Sequence, residues 1–296
     1  MTGAGSPDAD HSIPMPELQP LAYRLRWRPR DAFIGAHPGG GEGAGGTFQR
    51  HVPLLRHPDP RRIDLRATFR DPMEEIHVRQ YTKRSAIVAV AVVDLSGSMG
   101  FEGRVTRMRV VAELCATLAL SARRMGDRFA LIGCDADVRD DVFVAPTRHP
   151  GVEVEVFDRL MRAVPQGEST AGLLAVADRL PARPSLVFII SDFLMPLPRV
   201  DELMNAFWRH DVVPVVVRDR GEEQDLPAWG LIELRDLETG RRRLTLMRPA
   251  LREAWRRAGQ ARRVELDRCF RRRGRVPFHV VDGLDADALA EHLLAG

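Results

Sequence analysis

The sequence predicts an α/β fold: a central, mostly parallel β-sheet flanked by helices on both faces and preceded by an N-terminal extension. Three observations predict it. Residues 86–93 are an unbroken apolar run in which Val and Ile interleave with small Ala, the composition of a strand buried on both faces of a parallel sheet. Residues 185–190 form a second, almost wholly apolar run, and each run ends at a carboxylate, Asp94 in the first case and Asp192, one residue past Ser191, in the second. Between them, residues 104–125 carry Met108, Val111, Leu114, Cys115, Leu118, Ala119, Ala122 and Met125 at helical spacing, so strand and helix alternate along the chain.

The first strand tip carries chemistry. Asp94, Ser96 and Ser98 form Asp-x-Ser-x-Ser, and a loop leaving a strand can turn alternate residues inward together. One carboxylate and two hydroxyls are hard oxygen ligands, the kind that Mg2+ takes in octahedral geometry at about 2.1 Å while keeping several waters. The competing reading is an Asx turn that caps the following helix. Position favours the metal, because ligands of open α/β sheets bind outside the carboxyl ends of the strands, and Gly97 and Gly100 permit a tight loop there.

The totals bound the rest. The 296 residues suffice for one large or two small domains, and 44% hydrophobic content fills a core. The formal charge is +3, carried almost wholly by arginine, with Lys83 the single lysine. Cys115, Cys134 and Cys269 are odd in number and far apart, which implies neither a disulfide framework nor a zinc spacing. No segment approaches the roughly 20 apolar residues that cross a bilayer, and no apolar signal core opens the chain. The expectation is therefore a cytoplasmic protein.

In chain order, residues 1–18 read as a disordered tail. Residues 19–84 read as an N-terminal segment too polar for its own core, packed on the main domain of residues 85–296. Its glycine-rich stretch, residues 39–46, lacks the Gly-Lys-Ser/Thr ending of a phosphate loop and reads as a flexible loop, while residues 75–81 look extended. After the helix, which should stop at Gly126, come a strand over 128–134 and a turn holding Asp135, Asp137, Asp140 and Asp141, with a short edge strand over 142–145. Residues 152–164 and 170–180 read as helices, and the Thr170 hydroxyl is either an N-cap or a metal ligand. Beyond Asp192 the pattern gives a helix over 200–210, a strand over 212–217, a polar loop over 219–227 and a hairpin over 231–247 turning at 238–240. A long helix over 249–273 carries Leu251, Ala254, Trp255, Ala258, Leu266 and Cys269 on one face. A last strand over 276–281 and a closing helix over 286–294 complete the chain.

Together, Asp94-Leu95-Ser96-Gly97-Ser98, Thr170 and Asp192 resemble the metal-ion-dependent adhesion site (MIDAS) of von Willebrand factor A (vWA) domains, in order and in place. Upstream, residues 61–70 resemble the Arg-x-Ile-Asp-Trp element of the bacterial DUF58 proteins, with Leu65 at the tryptophan position and His57-Pro58-Asp59-Pro60 where that family has Gly-Asp-Asp. The likeness runs over about residues 31–296 and includes the turn at residues 236–240. It implies a vWA fold with Mg2+ or Mn2+ at Asp94, Ser96, Ser98, Thr170 and Asp192. The hydroxyls would be direct ligands and the aspartates direct or water-mediated ones. It also implies a MoxR-type AAA+ ATPase as partner, in chaperoning or maturation of a client such as a metalloenzyme.

Carried over, the ion faces only two carboxylates and remains electrophilic enough to take a carboxylate from the ATPase or the client. The expected function is thus a non-enzymatic, metal-dependent protein-binding adaptor. A metal-assisted hydrolase or phosphoryl-transfer enzyme is the first alternative, but the nine histidines are scattered and no Walker loop or Gly-x-Ser-x-Gly elbow is present. Nucleic-acid binding through the arginines from Arg241 to Arg275 is the second. It lacks the aromatic interleaving that stacks bases, and a solvated or protein-docking helix face is the better reading.

Overall fold

Alternation along each strand decides the architecture. The computed structural model describes residues 14–27, 29, 36–167, 170–223, 225–235, 237 and 241–295. Its main sheet contains β3 (Val88–Asp94), β4 (Arg128–Cys134), β5 (Val138–Thr147), β6 (Leu186–Ser191), β7 (Asp211–Arg218) and β10 (Phe278–Val281), in the order β10-β7-β6-β3-β4-β5. Neighbours are parallel except β4 and β5. On β3, Ala89, Ala91 and Val93 join one apolar cluster and Val90 and Val92 the other. On β6, Leu186, Phe188 and Ile190 face the first and Val187 and Ile189 the second. Both faces of these strands are therefore covered, as their unbroken apolar runs require.

The first face is covered by α2 (Arg107–Arg124), α3 (Val152–Arg162) and α8 (Ala286–Ala295), the second by α4 (Ala171–Arg179), α5 (Leu197–Ala206) and α7 (Pro249–Arg272). Ala112, Ala116, Ala119 and Ala122 are fully buried on α2, opposite the alanines of β3, so small meets small and the helix packs close to the sheet. Each fully buried leucine, Leu114 for example, contributes about 1.5–3 kcal/mol by leaving water. The helix ends as expected, with Gly126 left-handed at φ +75°.

The N-terminal segment divides. Residues 14–27 lie on the first face: Leu21 and Tyr23 are buried there, Met15 and Leu18 pack beside them, Leu21 N donates to Ser121 Oγ (2.8 Å), and Arg24 N donates to the Leu293 carbonyl (3.1 Å). The tail read as residues 1–18 thus meets the core at its last residues, and residues 1–13 lie outside the described residues. Asp127, fully buried, holds this region together. It accepts from Tyr23 Oη and Ile87 N (2.9 Å) and pairs with His37 Nε2 at 2.7 Å.

β1 (His37–Pro53) and β2 (His77–Ser85) form an antiparallel ribbon that packs mainly on the 3-10 turn Pro60–Arg62 and on α1 (Leu65–Thr68). Residues 39–46, read from sequence as a flexible loop, are strand here. Their pairing slips register between Pro38 and Glu42 and between Glu42 and Thr47, irregularity that glycine tolerates because it has no Cβ to place. Asp64 caps α1 by accepting from Arg66 N (2.9 Å) and Ala67 N (3.1 Å), and its other oxygen binds Arg79 Nε (2.7 Å) and His51 Nε2 (3.1 Å).

The later elements depart from expectation in places. β5 is longer than the expected edge strand and takes Asp140 and Asp141 into it. The polar loop contains α6 (Arg220–Glu223). The hairpin forms as β8 (Gly230–Arg235) and β9 (Arg242–Met247), with its turn at 238–240 outside the described residues. On α7, which runs about 36 Å, only Leu266, Cys269 and Phe270 are buried, while Ala254, Trp255 and Ala258 in its first half are exposed. Among the described residues, no helix is long and apolar enough to cross a membrane.

Candidate metal centre

The strand order fixes where a site can form. From β3 the chain first adds β4 and β5 on one side, then crosses to add β6, β7 and β10 on the other. Adjacent strands whose connections run in opposite directions leave a crevice at their carboxyl ends. Here the crevice lies between β3 and β6, paired through Val93 and Ile190, and Asp94 and Asp192 stand at its two lips.

Asp94 is fully buried. One carboxylate oxygen accepts from Ser96 N (2.9 Å) and the other from Ser191 Oγ (2.6 Å), which itself accepts from Phe193 N (2.9 Å). Burial, and after it the charge of Asp192, pushes the Asp94 carboxyl up to about 6. The loop beyond is pinned from both sides, by Leu95 N to the Cys134 carbonyl (2.7 Å) and Gln166 N to the Leu95 carbonyl (2.9 Å). Ser96 and Ser98 then bring their hydroxyl oxygens to 3.3 Å from each other.

Gly97 lies between the two serines under two backbone carbonyls. Its N–H donates to Gly167 O (3.0 Å), and a Cβ at this position would come within 2.3 Å of the Leu237 carbonyl oxygen. The end of the β8–β9 hairpin therefore rests on the serine loop. Thr170 precedes α4 but its hydroxyl makes no capping bond; it points to Met195 Sδ at 3.9 Å. Of the two roles read for it from sequence, the side-chain cap is not the one taken.

Asp192 accepts from Leu194 N (3.2 Å) through one oxygen and from Arg107 Nη1 (3.0 Å) through the other, and the same Nη1 donates to the Ser98 carbonyl (2.7 Å). Both side chains are almost wholly buried, at 1% and 4% exposure. Sequence reasoning missed Arg107. The signal available was a cation on the apolar stripe of α2, four residues before Val111 and seven before Leu114, where a hydrophobe is expected. Ser191 was also passed over as a positioning group. Phe193 holds the following turn in the left-handed region at φ +52°, wedged edge-on against Phe270, with its carbonyl bound by Arg262 Nη2 (3.1 Å).

The structure thus brings Asp94, Ser96, Ser98 and Asp192 to one crevice and leaves the Thr170 hydroxyl uncommitted to its helix. The donor set fits a hard divalent cation. It offers only oxygens, and two hydroxyls 3.3 Å apart can share an ion whose neighbouring ligands sit about 3.0 Å from each other. Elsewhere among the described residues, ligand atoms of Asp71, Glu75 and His77 lie within 4.8 Å of one another, but Asp71 there binds Glu75 N (2.8 Å) and faces His77 Nε2 (3.3 Å), a cluster closed on itself. Several C-terminal arginines are engaged in the fold: Arg262 as above, Arg273 with Asp201 and Arg275 with Asp211.

Sheet order and helices on both faces define a doubly wound α/β domain with a mostly parallel central sheet. A model of the family described as "Protein of unknown function DUF58" matches residues 58–265, and the chain belongs to that family. It is 30% identical over 219 residues to an uncharacterized protein of Mycobacterium tuberculosis strain H37Rv, covering 72% of this chain and 67% of the relative. It is 40% identical over 74 residues to the Paracoccus denitrificans protein described as "in moxR 3'region", covering 25% of this chain and 70% of the relative. Among solved structures, BatB from Bacteroides thetaiotaomicron aligns with a TM-score of 0.41 at 11% identity, over 70% of this chain and 97% of that one.

Proposed function

We propose that this chain is a non-enzymatic adaptor in which a divalent cation, Mg2+ or Mn2+, held by Asp94, Ser96, Ser98, Thr170 and Asp192, grips a carboxylate of a MoxR-type AAA+ ATPase or of its client during chaperoning or maturation. The observation that carries the reading is the pair of serine hydroxyls 3.3 Å apart beside buried Asp94, at the switch point of the sheet. The relative encoded in a moxR 3′ region supports the choice of partner.

The bound ion would supply one electrophilic position for an incoming oxygen. This chain's own residues do the rest. Ser191 orients Asp94, the Gly167 and Leu237 carbonyls fix the serine loop, and Arg262 and Phe270 hold the turn after Asp192. Outside the two aspartates, these neighbours are a hydroxyl, carbonyls, a guanidinium and a ring, groups that position rather than exchange protons near neutral pH. The test is binding of purified chain to the MoxR-type ATPase of the same organism. Binding should require Mg2+, fall away with EDTA and be lost in Asp94→Ala; undiminished binding with EDTA and in the variant would overturn the reading.

A further inference from the structure

A cation already sits inside the candidate site, and it belongs to the chain. Arg107 is the first residue of α2, where the helix dipole disfavours positive charge, and the first turn holds no acidic residue to offset it. Its buried guanidinium instead bridges Asp192 and the Ser98 carbonyl, one strand tip and the serine loop, and lies over the Phe101 ring at 5.3 Å. Arginine stays protonated at any pH the protein meets, so this charge is permanent.

We propose that Arg107 is the resident counter-charge of the site and makes cation loading depend on an incoming carboxylate, so that metal and acidic partner bind as a linked pair. The inference rests on the divalent-cation reading given above. Asp94 and Asp192 contribute two negative charges and Arg107 one positive, a net of one negative charge. A divalent ion entering alone leaves a net positive charge in a crevice shielded from water, which is costly. A carboxylate arriving with the ion brings the sum to zero. Without Arg107 the balance differs: the ion alone neutralises the two aspartates, and a further carboxylate leaves excess negative charge. Arg107 thereby turns a site that would be satisfied by metal into one that demands an anionic partner. Linkage is reciprocal, so whatever factor the carboxylate adds to metal affinity, the metal adds to carboxylate affinity.

The test is titration of the full chain with Mn2+, following free Mn2+ by its paramagnetic resonance signal, with sodium acetate or sodium chloride at matched ionic strength. Wild type should bind Mn2+ about tenfold more tightly with acetate, within the usual range of coupling factors. Arg107→Met should bind Mn2+ in chloride about tenfold more tightly than wild type and lose the acetate effect, whereas Arg107→Lys, which keeps the charge, should retain it. A mere structural link between helix and loop would move folding stability but not the acetate dependence. If Arg107→Met is unfolded by circular dichroism, wild type and Arg107→Lys still decide, because binding that is indifferent to acetate in both overturns the proposal. Equal Mn2+ affinity in folded wild type and Arg107→Met also overturns it while leaving the cation reading intact. No Mn2+ binding to any of the three, with acetate present, defeats the cation reading itself.

Discussion

Asp94→Asn is expected to stabilise the protein when no metal is present. The wild-type carboxylate is fully buried, and burial together with Asp192 raises it from an ordinary 3.8 to about 6. Folding therefore strengthens proton binding, and keeping the group ionised costs about 3 kcal/mol above pH 6, a cost that fades as pH falls and is gone below about pH 4. The amide removes that cost but not cleanly. Its oxygen can accept from Ser96 N, while its NH2 must then face Ser191 Oγ, which already accepts from Phe193 N. That rearrangement returns roughly 1–2 kcal/mol. A net gain of about 1–2 kcal/mol corresponds to roughly 2–3 °C in Tm for a chain of this size. Thermal unfolding in EDTA at pH 7.5 and pH 4.5 reads both halves of the argument. The variant should melt higher at pH 7.5 and level with wild type at pH 4.5. A variant that melts no higher at pH 7.5, or an advantage that does not shrink with acid, refutes the account of Asp94 as a carboxylate held in charged form against its environment for a ligand.

Other outcomes follow from the same contacts. Gly97→Ala places a methyl 2.3 Å from the Leu237 carbonyl oxygen and 3.1 Å from that of Gly167, so the hairpin or loop must shift; a loss of about 1–3 kcal/mol is expected in chemical denaturation, with weakened Mn2+ binding. Asp127→Ala leaves Tyr23 Oη, His37 Nε2 and Ile87 N without their buried acceptor, at about 1–3 kcal/mol each, and residues 14–27 should become the first site of limited proteolysis. Asp64 is held well below the usual carboxylate range, by Arg79 first and then by the Ala67 N–H. Its contribution is present above about pH 4 and lost as pH falls further, so the protection of β2 amides relative to their intrinsic exchange rate should fall in acid for wild type and already be low at pH 7 in Asp64→Ala.

The parts of the fold legible in the sequence were those in which one local pattern settles one element. The runs ending at Asp94 and Asp192 are apolar on both alternating faces and could only be interior strands, and Gly126 marked the end of α2 through its backbone freedom. Residues 39–46 were not legible, since glycines leave no side-chain pattern and their strand character comes from pairing with β2. The first half of α7 misled for the opposite reason: Ala254, Trp255 and Ala258 fall at apolar spacing on a stretch that the fold leaves exposed.

The candidate site divides the same way. Asp94, Ser96, Ser98 and Asp192 were legible because their spacing follows directly from strand tips. Arg107 and the Leu237 carbonyl were not, because each reaches the loop from an element whose approach only the packed structure determines. Arg107 changes the electrostatics most: the two carboxylates that seemed from spacing to face an ion alone share the crevice with a permanent cation.

Calorimetric titration of the purified chain with Mn2+ at pH 7.5 in the presence of acetate, wild type against Asp94→Ala, tests the central claim most directly. The account predicts saturable binding of one ion in wild type and none in the variant. Absence of binding in wild type, or equal binding in Asp94→Ala, would contradict it.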